Sequence, residues 1–174
     1  FSLLTNSIFF FLGKIYLKKI VNKFENIILN SIIGAILLSI LALFTNFFFP
    51  LNKIINSILY LAIIISFIIF KKKLTKKEIL FLILSSLLTT ILLAYDNVYR
   101  PDAGLYHLPY TGIINENNII IGLSNIHFRF GHISIMQYLS GLNYNYLFNS
   151  YGILIPLSGI SSFFILFWAK LKNG

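Results

Sequence analysis

Cysteine is absent from the 174 residues. Its absence excludes disulfides and thiolate metal sites, and little else. Charge is almost as scarce: charged residues make up 11% of the chain and hydrophobic ones 57%. Ordinary soluble domains carry roughly 25% charged residues. A water-soluble fold with so little charge would aggregate, so the solvent for most of this chain is lipid. Acidic residues are the rarest class, five against fourteen Lys and Arg, for a formal charge of +9. Nucleic-acid binding would need those cations on one face with polar groups interleaved. Here the lysines stand in blocks between apolar runs, which reads as a topology signal for a lipid bilayer and argues against nucleic acid. The Ile, Phe, Leu, Asn and Lys richness is what an AT-rich genome produces, so single asparagines and lysines are given little weight. There is no internal repeat.

What is abundant is apolar sequence in long runs. Residues 27–49, 54–70, 79–95 and 146–169 are free of charge and read as four spans, and residues 1–12 as the tail of a fifth. Residues 1–12 alone are too short for a hydrocarbon core of about 30 Å, so the chain is expected to be an N-terminal fragment of a longer protein. Pro50 ends the first full span and Pro156 is expected to kink the last. The fold class expected is all-α, a polytopic transmembrane helical bundle in one membrane domain. Transport pathways usually place charges inside spans, so the lack of any here counts against ion-coupled transport through these helices.

Alternate threading puts eleven lysines on one side: Lys14, Lys18, Lys19, Lys23, Lys71, Lys72, Lys73, Lys76, Lys77, Lys170 and Lys172. Lys53, Arg100 and Arg129 fall on the other. The positive-inside rule makes the lysine side cytoplasmic and places the loop 96–145 outside, in the periplasm or its equivalent. The segment 14–25 spaces its lysines at helical intervals. It reads as an amphipathic surface helix or as a plain basic connector.

The loop 96–145 holds all three histidines, both arginines and three of the five carboxylates. Scarce ionisable groups gathered on one side of a membrane protein mark the place where chemistry is expected. Pro101 and Asp102 suit the start of a short helix over 102–114. Its helical projection puts Leu105, Leu108, Pro109, Gly112 and Ile113 on an apolar face, and Tyr106, His107, Tyr110 and Thr111 on a polar one. Such a helix would lie in the membrane interface, where Tyr is favoured. Residues 115–118 read as a turn. Asn125, His127 and Arg129 alternate with apolar residues, which predicts an extended stretch. A second short helix is expected over 133–139. Arg129 suits a bidentate grip on phosphate.

Each residue also has a plainer role open to it. Asp102 could be a helix cap, His107, His127 and His132 structural, and Arg100 and Arg129 contacts for lipid headgroups. Three histidines and an Asp could hold zinc, but no HxxxH or HxH spacing is present. A non-enzymatic membrane protein for lipid or polysaccharide export or assembly accommodates all of these plainer roles.

The motifs Asp102-Ala103-Gly104-Leu105-Tyr106-His107 and Gly122-Leu123-Ser124-Asn125-Ile126-His127-Phe128-Arg129 carry a resemblance. They are similar to an uncharacterised family of bacterial polytopic membrane proteins with an Asp-Thr-Gly-Leu-Tyr-His motif and a Gly-Leu-Gly-Asn-Leu-His-Gly-Arg segment. Ala103, Ser124 and Phe128 depart from that pattern. That family in turn resembles the C-type glycosyltransferase superfamily, which uses sugars on polyprenyl phosphate or diphosphate. The resemblance implies a multi-pass protein of the bacterial cytoplasmic membrane with a lipid-linked sugar donor as partner. It implies that Asp102 is the base toward the acceptor, or helps to place a divalent metal. Arg100, Tyr106, His107, Tyr110, Asn125, His127 and Arg129 then form the substrate-binding set. Two features differ from the superfamily layout: the loop follows three or four spans instead of the first, and fewer spans are present. The fragment alone is expected to be inactive.

Overall fold

The computed structural model describes residues 1–20, 26–70, 74–95, 102–131 and 134–172, and among them every element is helical. Seven α-helices follow in order: α1 Ser2–Ile20, α2 Ile27–Phe48, α3 Lys53–Phe70, α4 Lys76–Tyr95, α5 Leu108–Glu116, α6 Ile135–Leu142 and α7 Ile155–Lys172. Three helical segments are long and apolar enough to cross a membrane: Ile27–Phe48, Lys76–Tyr95 and Asn149–Lys172. Ser2–Leu17 and Lys53–Ile69 are apolar but shorter, so the run 54–70 falls in this second group.

The starts of these helices follow from local chemistry. Asn26 caps α2, its side chain accepting from the N–H groups of Ile28 and Leu29. At α4 the Thr75 N–H donates to the Glu78 carboxylate at 2.8 Å and the Glu78 N–H to Thr75 Oγ1 at 3.3 Å. This reciprocal arrangement satisfies two of the donors that a helix start leaves open.

Helix α1 packs on α2, α4 and α7 and forms the middle of the bundle. Its crossing with α2 is backbone against backbone. A Cβ at Gly13 would stand 1.7 Å from the Asn30 carbonyl oxygen, and one at Gly34 would stand 1.7 Å from that of Phe9. Small residues at such a crossing let two helix backbones approach closely. A polar thread ties α1 to the far helices: Asn6 Nδ2 donates to Thr89 Oγ1 at 3.0 Å, and that hydroxyl donates to Ser162 Oγ at 3.2 Å.

Several expectations are corrected. Residues 14–20 do not form a separate surface helix. Helix α1 runs without interruption to Ile20, and Lys14 pairs with Glu78 at the start of α4; residues 21–25 lie outside the described residues. Pro156, expected to interrupt the last span from within an α-helix, lies instead where that span changes from a 3-10 turn to α-helix. It sits in the first turn of α7, behind a 3-10 turn at Asn149–Leu154, where its missing N–H costs no helical bond. The bundle has two distinguishable ends. Lys14 and Glu78 mark one. At the other, Phe1 packs on Phe148, and Lys53 Nζ donates to Asn149 Oδ1 at 2.9 Å.

Asparagine amides fasten the loop to that second end. Asn46 of α2 donates to the carbonyls of Ile114 and Asn117 at 3.1 and 3.0 Å. Asn56 of α3 donates to those of Leu51, Gly141 and Tyr144 at 2.5, 2.9 and 2.7 Å. Asn115 of α5 reaches the Leu51 and Gly141 carbonyls as well. Buried carbonyls at helix ends need donors, and here carboxamides supply them where water is scarce.

Candidate functional site

Helix α5 is entered through a π turn at Ala103–His107, in which the Leu108 N–H bonds to the Ala103 carbonyl. Pro109 supplies the reason. In an α-helix its ring would clash with the carbonyl of Leu105 and leave that carbonyl without an intrahelical donor. The wider turn changes the spacing just ahead of the ring. Such turns are rare and are frequent at functional sites.

The burial of α5 is the reverse of the soluble pattern. Tyr110, Thr111, Ile114 and Asn115 face inward, whereas Leu105 and Leu108 are exposed. The expected faces are therefore present, but it is the more polar one that packs on the protein. Tyr110 is 3% exposed, and its hydroxyl lies 2.7 Å from that of Tyr138 on α6. Burial, and then the Tyr138 hydroxyl, hold the Tyr110 phenol well above its usual pKa. It stays neutral and serves the α5–α6 contact. Tyr110, expected on the substrate side, is not on the open surface.

The stretch expected to be extended over 125–130 is instead two 3-10 turns, Leu123–Asn125 and Phe128–Gly131. Gly122 starts them at φ 89°, a conformation that side chains disfavour. The turns, not a strand, bring the second motif back over the first. The second short helix is Ile135–Leu142, not 133–139, because Ser134 caps it and Gln137 closes the capping box.

Asp102 and Arg129 meet as an ion pair across 27 residues of sequence. The Asp102 side chain makes no capping bond, so the cap role is not what the structure places there. The pair is open to solvent, with side-chain exposures of 38% for Arg129 and 58% for Asp102. An exposed pair of this kind contributes about 0–1 kcal/mol to stability, so the fold has little need of it. The Arg129 guanidinium lies over the Tyr106 ring at 5.0 Å and near Phe128 at 5.6 Å. Tyr106 in turn touches His107, with ring centroids 4.1 Å apart. His107 Nδ1 is 2.9 Å from Gln137 Nε2. His127 stacks on Phe128, and its Nδ1 accepts from the Arg129 N–H at 3.3 Å.

The structure thus joins Asp102, Tyr106, His107, His127 and Arg129 in one open array. Asn125 is exposed within the 3-10 turn, its N–H bonded to the Gly122 carbonyl. Arg100 and His132 lie outside the described residues. Gln137 was missed by sequence reasoning, although the Ser134-x-x-Gln137 box was there to be read. Among the described residues no three His, Asp or Glu side chains are grouped so as to hold a metal ion. Chemically the array offers a guanidinium with unused N–H donors, two imidazoles and one carboxylate.

A family model described as a domain of unknown function, DUF8201, matches residues 2–173. The chain belongs to the DUF8201 family. The DUF8201 match takes in the apolar helices and the loop together. No curated protein and no solved structure matches the chain.

Proposed function

We propose that this chain belongs to an integral-membrane glycosyltransferase that moves a sugar from a polyprenyl-phosphate donor to an acceptor at the outer face of the membrane. The observation that carries the reading is the exposed Asp102–Arg129 pair, which joins two separated motifs beside Tyr106 and His107. The resemblance of those motifs to the C-type superfamily supports it. The proposed topology puts the lysine-rich ends of α1, α4 and α7 in the cytoplasm and the loop outside. The outward apolar face of α5 then rests in the interface, with Ile120, Ile121 and Phe128 exposed beside it.

In this reading the donor phosphate draws Arg129 away from Asp102, because a guanidinium grips phosphate with two parallel bonds. The freed Asp102 carboxylate takes the proton of the acceptor hydroxyl as that oxygen attacks the anomeric carbon. The bond from the anomeric carbon to the phosphate oxygen breaks, and its electron pair leaves with the polyprenyl phosphate. Arg129 and the two imidazoles stabilise that developing charge.

The test uses the full-length parent protein in its own cells. Polyprenyl-linked sugars and surface glycans are measured by mass spectrometry in wild type, a deletion and Asp102→Asn. A missing sugar in both mutants, with normal protein level in the point mutant, is the expected result. A change in the deletion alone would instead support the export or assembly role and remove Asp102 from chemistry.

A further inference from the structure

Gln137 is 7% exposed and closes the capping box of α6. The Ser134 N–H donates to Gln137 Oε1 at 3.0 Å, and the Met136 N–H donates to Ser134 Oγ at 3.2 Å. The orientation of a lone glutamine amide is ordinarily ambiguous. Here it is determined, because a backbone N–H can only donate, so the amide oxygen must face Ser134. The amide NH2 therefore faces His107 Nδ1, at 2.9 Å. An NH2 group can only donate, so Nδ1 must accept and carries no hydrogen. A neutral imidazole then holds its hydrogen on Nε2. His107 is exposed, and no other hydrogen bond to its ring is found among the described residues.

We propose that Gln137 is a positioning residue: it holds His107 in the Nε2–H form, so that the imidazole presents a hydrogen-bond donor, beside Arg129, to a phosphate oxygen of the ligand. Gln137 itself is buried behind the ring and acts only through His107. His127 is set the same way by a different group. Its Nδ1 accepts from the backbone N–H of Arg129 at 3.3 Å, again a donor-only partner. Two imidazoles and a guanidinium then offer only donors, and that is the chemistry of an oxyanion site. Zinc-bound histidines commonly have the opposite arrangement, in which the ring nitrogen away from the metal donates to a carboxylate or carbonyl. The tautomer rests on geometry alone, whereas the ligand half rests on the reading under "Proposed function".

The test is nuclear magnetic resonance on the full-length protein in lipid nanodiscs, with 15N-labelled imidazoles, at mildly alkaline pH. Signals are assigned with His107→Asn and His127→Asn. The expected wild-type pattern is a bare Nδ1 and a protonated Nε2 for both His107 and His127. Gln137→Glu supplies the decisive comparison. It keeps the capping box, which accepts Glu as readily as Gln, but its carboxylate can only accept. His107 should then switch to Nδ1–H while His127 stays unchanged. A wild-type His107 already in the Nδ1–H form, or one unmoved by Gln137→Glu, overturns the proposal.

For the ligand half, the probes are a short-chain polyprenyl phosphate and inorganic phosphate. The polyprenyl phosphate should shift the His107 Nε2 signal, and Gln137→Glu should bind it about tenfold more weakly, as the loss of one hydrogen bond to a charged group implies. A response to inorganic phosphate of the same strength identifies phosphate itself as the recognised group. No response to either probe overturns the ligand half. If the shift appears while deletion of the parent protein leaves every lipid-linked sugar and surface glycan unchanged, the transferase reading fails and the donor role of His107 stands.

Discussion

Among the described residues of the loop, Arg129 is a point of convergence. It pairs with Asp102, covers Tyr106, and its backbone N–H holds His127. Replacing it with Lys keeps the charge but removes the planar fork and the fit over the ring. Arg129→Lys is therefore expected to leave melting within about 0.5 kcal/mol of wild type, while sugar transfer by the parent protein falls at least tenfold. Equal transfer in the two proteins would show that charge alone suffices. Gly104 invites a second substitution. It lies in the π turn, and a Cβ there meets nothing within 4 Å. Ala in its place should stabilise by about 0.5–1 kcal/mol, read as a raised melting temperature in detergent. If transfer also drops, the bare face is where ligand approaches.

Arg129 stood out in the sequence because charge is rare in this composition, whereas Gly104 entered only as part of the first motif. Gln137 did not stand out, because a buried glutamine looks like any polar loop residue until its two partners are seen. The asparagines were hidden for another reason. Asn46 and Asn56 meet carbonyls 68 and 85 positions away, and no local pattern announces such a bond. Compositional bias made them look like background.

At the level of elements, α5 shows how a helix rule changes sign with the solvent. The 3.6-residue pattern over 102–114 is visible in the sequence, but which stripe turns inward depends on what lies outside. With Tyr110 and Asn115 inward and Leu105 and Leu108 outward, the pattern fits an apolar medium outside. The 125–130 alternation misled because six residues are too few to fix a period: the run is built from 3-10 turns, which have three residues per turn. The α1–α2 crossing supports a sharper prediction. Gly34→Leu puts a branched side chain where the Phe9 carbonyl already lies. The helices must separate, at an expected cost of 3 kcal/mol or more, in the upper part of the range for overpacking (~1–3 kcal/mol) or beyond it. Loss of folded protein on detergent size exclusion would show this, whereas Gly112→Ala, whose Cβ meets nothing within 4 Å, should elute like wild type and, as at Gly104, gain slightly in stability.

For the whole molecule, the bundle has an ion-paired end and an aromatic end, and the proposed topology puts the second outside. The absence of cysteine makes this directly testable. A cysteine introduced at exposed Ser124 should react with a membrane-impermeant thiol reagent in intact cells. Labelling only after the cytoplasm is opened would reverse the topology and take the loop away from any outer-face substrate.

The carboxamide clasp at Leu51 and Gly141 has a mechanical consequence. Asn56 from α3 and Asn115 from the loop grip the same two carbonyls, so neither can tilt away alone without leaving its own buried amide hydrogens unpaired. Loop and bundle should respond as a single lever: a ligand that tugs on α5 from outside is felt along α3. In hydrogen exchange this predicts a shared opening rate for the protected amides of α5, α6 and the outer turn of α3. Asn115→Leu should split that rate in two.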